Sequence, residues 1–201
     1  MKLYFSPGAC SLSPHIILIE AGLAFTSERV DLRGKLTASG EDFRAINPKG
    51  YVPALQLDDG TVLTEGPAIG QYLADLVPQA QLLPPVGDLE RYKVLGWLNY
   101  ISSELHKNFS PLFNPAATED MKAHARTMLG LRLAHVAAAL EGRDFLGPRF
   151  GIADSYLFTV LGWADFVKFS LADWPVLQAY RARIAERPAV QQALREEGLV
   201  K

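Results

Sequence analysis

The chain carries one cysteine in 201 residues, Cys10. That single thiol excludes an intrachain disulfide and cannot build a thiolate metal site, and it makes a reducing compartment, the cytoplasm, the expected location. Basic excess is lacking too. Lys and Arg number 20 against 22 Asp and Glu, a formal net charge of −2. No local Lys/Arg cluster makes up the deficit, so no nucleic-acid partner is expected. No stretch reaches the roughly 18 apolar residues of a membrane span, so no membrane association is expected. The first residues, Met1-Lys2-Leu3-Tyr4-Phe5, enter a strand pattern at once, without the apolar run and small-residue cleavage site of a secretory leader. The four histidines (His15, His106, His124, His135) show no ligand spacing, and no metal is expected. There is no phosphate-binding glycine loop, no dinucleotide fingerprint and no internal repeat. What is present, 49% hydrophobic and 21% charged residues, is the composition of a globular protein. The length suits one large domain or two small ones.

The first part alternates strand and helix patterns. Residues 2–5 read as a strand and 11–22 as a helix ended by Gly22. A second strand is expected over 25–31, and a short helix over 41–46 is stopped by Asn47-Pro48. Residues 53–57 and 61–64 flank Asp58-Asp59-Gly60, a hairpin turn signal. A helix follows from Pro67, a favoured first-turn residue, to Leu76. The order βαβαββα is the thioredoxin-like arrangement. Prolines and glycines at Val77-Pro78, Pro84-Pro85 and Gly87 then break the periodicity and mark 78–87 as a linker. Beyond it the pattern is all helical. One helix starts at the cap Asp88 and reaches about Phe109, a second opens at Thr118 and reaches about Glu141, and a third runs from Gly151 to about Phe166. Two shorter ones follow, Pro175 to Glu186 and Pro188 to Glu197. The expected organisation is an α/β domain over 1–77, a linker over 78–87 and an all-α helical bundle over 88–201.

Four features carry chemistry. Cys10 precedes a helix start, where unpaired N–H groups and the helix dipole favour a thiolate; the alternative is a small core hydrophobe. Val52-Pro53 opens a strand, as a proline without an N–H must. A cis bond there would turn the Val52 backbone outward for an extended peptide; the alternative is an ordinary strand-entry proline. Glu65 and the Gly66 N–H at a helix start supply both signs a zwitterionic amino-acid end needs, although Glu65 alone also suits the helix dipole. Asn99, Ser103, His106 and Ser110 fall on one face of their helix, opposite Val94, Leu98, Ile101 and Leu105. Such a stripe is either solvated surface or a site in which histidine moves protons near neutral pH. His15, in the first helix, reads as a surface or packing residue.

The segments Ser6-Pro7-Gly8-Ala9-Cys10-Ser11-Leu12-Ser13-Pro14-His15, Ile46-Asn47-Pro48-Lys49-Gly50-Tyr51-Val52-Pro53, Leu63-Thr64-Glu65-Gly66-Pro67-Ala68-Ile69 and Asn99 to Lys107, with Ala153-Asp154-Ser155-Tyr156-Leu157 and Ala185-Glu186-Arg187-Pro188, occur in this order along the chain. Together they resemble the cytosolic glutathione transferases, most closely the bacterial beta class. The resemblance implies a thioredoxin-like domain that binds glutathione and a helical domain with a pocket for an apolar electrophile. It implies that Cys10 lies at the glutathione sulfur and can form a mixed disulfide with it. Val52, ahead of the cis Pro53, would pair with the cysteinyl part. Glu65 and Gly66 would hold the γ-glutamyl end, and Lys35 would reach the glycyl carboxylate. Asn99, Ser103, Glu104 and His106 would lie near the ligand, some reaching it from the partner subunit of a homodimer. Cys10 and His106 are the expected catalytic residues. Phe109, Phe113 and Trp163, with Pro111 and Leu112, are candidates for the electrophile pocket or for core.

Two departures from the family pattern stand out. Phe5 occupies a position where close relatives often carry tyrosine, which removes a phenolic donor to the sulfur. Gly151 replaces the usual serine or threonine cap ahead of Asp154, and Asp154 is expected to bond back to the backbone near Gly151. The resemblance implies an enzyme that conjugates the glutathione thiol to small hydrophobic electrophiles, a detoxification reaction. Two alternatives stand beside it: glutathione-dependent thiol–disulfide exchange through Cys10, and a non-catalytic module that binds glutathione or a hydrophobic ligand.

Overall fold

A computed structural model describes residues 1–200. The chain divides into two compact units, one formed by Met1–Leu83 together with the C-terminal segment from Arg187, the other by Pro84–Glu186.

The first unit is built on a five-stranded mixed sheet in the order β3-β2-β1-β4-β5. The strands are β1 (Lys2–Phe5), β2 (Thr26–Asp31), β3 (Leu36–Thr37), β4 (Ala54–Gln56) and β5 (Val62–Thr64), interleaved with helices α1 (Leu12–Glu20), α2 (Phe43–Ile46) and α3 (Gly66–Leu76). β1 runs parallel to β2, with Leu3 opposite Ser27, and antiparallel to β4, with Leu3 opposite Leu55. β4 and β5 form the hairpin that Asp58-Asp59-Gly60 announces. Side chains alternate across the central strand, as a period of two requires. The Tyr4 ring meets Phe43 of α2 at 5.6 Å between centroids, while Phe5 meets His15 of α1 at 5.8 Å. Phe43 is fully buried in the cluster Tyr4, Val30, Val52 and Ala54; cutting such a phenylalanine to alanine costs about 3–5 kcal/mol.

The arrangement is βαββαββα rather than βαβαββα, because β3 pairs with the end of β2. Its two residues are too few to show alternation. The turn before it is held by Asp31, which accepts from Arg33 N at 2.9 Å through its side chain and from Lys35 N at 2.8 Å through its carbonyl. Lys35 itself takes a left-handed φ of 57°.

The second unit is helical. It comprises α4 (Leu89–Tyr100), a π-wound segment (Ile101–His106), α5 (Lys107–Phe113), α6 (Glu119–Leu140), α7 (Ile152–Phe166) and α8 (Pro175–Ala185). Asp88 caps α4 by accepting from Glu90 N at 2.9 Å, and Thr118 caps α6 by accepting from Met121 N at 3.3 Å. α7 is apolar nearly all round and buried from Ile152 to Leu161, which makes it the central helix of this unit. Asp154 in its first turn accepts from Gly151 N at 3.0 Å, Leu146 N at 2.8 Å and Tyr180 Oη at 2.9 Å. The bond to Gly151 is the one the sequence leads one to expect.

The last helix, α9 (Pro188–Glu196), belongs to the first unit. The division therefore differs from the expected helical domain over 88–201. The physical reason is an ion network between α1 and the end of α9 that is buried at His15 and Glu197. His15, inside α1 and without solvent exposure, bonds Glu197 Oε1 through Nδ1 at 3.0 Å and Glu196 Oε2 through Nε2 at 2.8 Å. Arg187 adds a two-pronged pair to Glu20 at 2.7 and 3.1 Å. His15 is thus neither a surface residue nor simple packing.

Candidate functional site

In the first unit the loop Ser6–Ser11 delivers Cys10 ahead of α1. Ser11, at the helix cap position, turns its hydroxyl back into the loop, accepting from Ser6 N at 3.1 Å and donating to Ser6 O at 3.3 Å. Gly8 N donates to Glu197 Oε2 at 2.8 Å, so the last helix also steadies the loop. The partly exposed Cys10 thiol donates to Val52 O at 3.1 Å. The expectation of several unpaired N–H groups at this helix start is corrected. Leu12 N donates to Ala9 O at 3.0 Å, Ser13 N to Cys10 O at 3.3 Å, and Pro14 has no N–H. The helix dipole remains; the open donors are fewer than a regular first turn provides.

The Val52–Pro53 peptide is cis. A Cβ added to Gly66 would lie 3.8 Å from the Pro53 ring, so Pro53 and the start of α3 are neighbours. Glu65 adopts a left-handed φ of 71° at the cap position of α3 but makes no side-chain cap bond. Its carboxylate faces outward and pairs with Lys49 Nζ at 2.6 Å. A service role to the helix dipole alone does not explain that geometry. Lys35 Nζ donates to Gly50 O at 2.9 Å and lies 5.5 Å from the Tyr51 ring centroid. Buried Asn47 shapes the intervening loop, donating to Tyr51 O at 2.6 Å and accepting from Lys49 N at 3.2 Å. Cys10, Val52, Pro53, Glu65, Gly66 and Lys35 are thus the sequence candidates that this unit contains.

The second unit holds the others. Asn99 and Ser103 are exposed, Glu104 and His106 half-buried, and Val94, Leu98, Ile101, Leu105 and Phe109 buried. The two-faced pattern therefore holds, although Ile101–His106 is π-wound, an irregularity frequent at functional sites. His106 Nδ1 bonds the Tyr156 hydroxyl at 2.7 Å, and its ring stands 4.6 Å from Trp163, edge to face. Trp163 gathers Phe109 at 5.7 Å and Phe113 at 5.8 Å. Phe109 is completely buried and Trp163 is buried too, so both take the core alternative of the two left open for them; Phe113 is about half exposed (49%) and remains able to meet a ligand. Glu104 is engaged by Arg132 Nε at 2.6 Å. Tyr156, Arg132 and Lys49 touch the candidates, and no local sequence signal marks them. Their partners lie far along the chain, with no periodic signal to join them.

A partly exposed thiol on the carbonyl of Val52, just ahead of β4 in a thioredoxin-type sheet, an outward carboxylate at the start of α3, and a helical second unit are the features of a thiol-bearing, thioredoxin-like protein. Comparison gives the family. Residues 8–76 match the family model "Glutathione S-transferase, N-terminal domain", and residues 100–188 match "Glutathione S-transferase, C-terminal domain". Glutathione S-transferase GstA of Escherichia coli O157:H7 is 54% identical over 200 residues, covering 99% of this chain and all of that protein. Among solved structures, the ternary complex of BphK, a bacterial GST, aligns at TM-score 0.97 with 59% identity, over 98% of this chain and 100% of that one. The bacterial beta class Sphingomonas chungbukensis glutathione S-transferase aligns at TM-score 0.97 with 46% identity over the full length of both chains. The chain belongs to the glutathione S-transferase family, on the side of its bacterial beta class.

Proposed function

We propose that the protein binds glutathione along the start of β4 and transfers its thiol to small hydrophobic electrophiles. The observation that carries this reading is the Cys10 sulfur 3.1 Å from Val52 O, just ahead of β4, where the cysteinyl part of an extended tripeptide would pair. Glu65 is the acceptor for the ligand's ammonium, Gly66 at the first turn of α3 the donor to its γ-glutamyl carboxylate, and Lys35 the cation for the glycyl carboxylate. A free thiol with a pKa near 8.5 is mostly protonated at neutral pH, and each unit of depression corresponds to about 1.4 kcal/mol of preferential thiolate binding. The dipole of α1 and the Cys10 S–H, once it leaves Val52 O, are the groups of this unit that can stabilise the sulfur anion. Cys10 then stays protonated and donates, which avoids two thiolates in one site. In the helical unit His106, fixed by Tyr156, is the proton carrier, with Asn99, Ser103 and Glu104 along the same helix. Exposed Phe113, set against the buried Trp163 ring, offers an apolar surface to the electrophile. Glutathione is the co-substrate, a homodimer the expected assembly, and a reducing cytoplasm the setting that a lone cysteine suits.

Cys10→Ala tests the reading. Conjugation of a chloronitrobenzene-type electrophile should survive to within about tenfold, the upper span of one ordinary hydrogen bond and apt for a weak S–H donor, while glutathione–disulfide exchange disappears. A second reading, thiol–disulfide exchange as the main activity, is favoured by the accessibility of that thiol; full exchange activity retained in the same variant would exclude it. If the wild-type protein is not retained by immobilised glutathione, both readings fail and a non-catalytic module stands.

A further inference from the structure

Lys49 answers a question the site poses. Glu65 is placed, at the cost of a left-handed backbone, so that its carboxylate leaves the helix cap and points outward. That carboxylate is not without a partner. Lys49 Nζ lies 2.6 Å from Glu65 Oε1 and 3.2 Å from Thr64 Oγ1. A primary ammonium at that distance stands where the α-ammonium of a γ-glutamyl group must go to pair with Glu65. Lys49 is delivered there by a built loop. Asn47 is buried and bonds both sides of it, and Gly50 closes the turn at φ 65° with its N–H on Asn47 O at 2.8 Å.

We propose that Lys49 is a specificity-determining residue: in the free protein its ammonium occupies the ligand's ammonium position on Glu65, and glutathione binds by exchanging one ammonium for another. This rests on the proposed glutathione reading of the site. Its consequence concerns selectivity. Because Lys49 neutralises Glu65 whenever the ligand does not, a tripeptide lacking the α-amino group meets no stranded carboxylate and is penalised little. Because Lys49 must be displaced by glutathione, the true ligand gains little from its own ion pair. The pair is half exposed, with side-chain accessibilities of 51% and 66%, so the exchange is worth what a surface ion pair is worth, about two- to fivefold in affinity.

The test is calorimetric titration of wild type and Lys49→Met with glutathione and with its deamino analogue, in which hydrogen replaces the α-ammonium. In Lys49→Met, glutathione should bind about two- to fivefold more tightly, and the deamino analogue more weakly, because Glu65 then faces it unpaired. The selectivity ratio therefore widens by about five- to tenfold. In a Glu65→Gln background the Lys49→Met substitution should leave the ratio unchanged, which separates this exchange from a general loss of positive charge. An unaltered ratio in Lys49→Met, equal weakening of both ligands, or an effect that persists in the Glu65→Gln background overturns the proposal while leaving the glutathione reading intact. Failure of wild type to bind glutathione overturns both.

Discussion

Replacing His15 with phenylalanine isolates the network that joins α9 to α1. The histidine ring is flanked by Phe5 at 5.8 Å and Phe25 at 5.5 Å, so a phenyl group keeps the aromatic packing while deleting both ring nitrogens. The two carboxylates differ sharply in what they lose. Glu197 has a side chain with 0% accessibility and would be left with Gly8 N as a donor; Glu196 is 40% accessible and can rehydrate. Stranding a buried charge costs about 3–5 kcal/mol, whereas losing a half-exposed pair costs about 0–1 kcal/mol. The expected order of destabilisation is therefore His15→Phe, about 3–5 kcal/mol; Glu197→Gln, about 1.5–3 kcal/mol, the loss of charge assistance from retained hydrogen bonds; and Glu196→Gln, at most about 1 kcal/mol. Urea unfolding followed by far-UV circular dichroism reads these as shifts in midpoint at constant slope.

The same network sets a pH dependence. Burial opposes the charged ring, but hydrogen bonds to Glu197 and then Glu196 outweigh it and hold His15 above its ordinary 6.5. A folded-state value above the unfolded one means that the folded protein binds the proton more tightly. The contribution is complete below 6.5 and is lost as pH rises through the raised folded value. Wild-type stability should fall as pH rises from 6.5 through the raised folded value, and His15→Phe should remove that slope. Phe5, Phe25, Glu196 and Glu197 face the ring, and of these only the two carboxylates titrate. Equal effects of Glu196→Gln and Glu197→Gln, a neutral His15→Phe, or an unchanged slope would refute the reasoning.

Burial pushes the Asp154 carboxyl up to about 6 from 3.8, against the pull of its three donors. The folded state then holds the extra proton, so stability should decline as pH rises between 3.8 and about 6, and Asp154→Asn should flatten that part of an acid titration. Gly50→Ala places a Cβ at φ 65° and 3.4 Å from the Lys35 chain; a loss of about 1–2 kcal/mol with a raised KM for glutathione is expected, read by thermal unfolding and steady-state kinetics, and Gly50→Asn should be milder. Asp88→Ala removes the cap on α4 and should cost about 1 kcal/mol, measured by chemical denaturation.

Local signals in the sequence placed most elements. Leu3-Tyr4-Phe5, the Asp58-Asp59-Gly60 turn and the caps Asp88 and Thr118 act through neighbours a few residues away, and each element they announce is present. β3 escaped because two residues carry no period. The π winding of Ile101–His106 escaped because buried residues at Ile101, Leu105 and Phe109 fit an ordinary helix equally well. His15 was misread because its partners stand 182 and 181 residues away, and long-range pairing leaves no mark on composition. Cys10, Glu65 and Gly66 were legible as candidates because a thiol or a carboxylate at a helix start is a local motif. Lys49 was not, since its role appears only when β5 brings Glu65 to the loop.

The Gly8 loop takes one of its acceptors from residue 197. A nascent chain leaves the ribosome amino end first, so the thiol-bearing loop emerges well before residue 197 and must wait for it to acquire its full set of bonds. Truncation after the helical unit would strip the earliest-made segment of its clasp, and a stop codon near position 187 should reach the start of the protein as surely as its end.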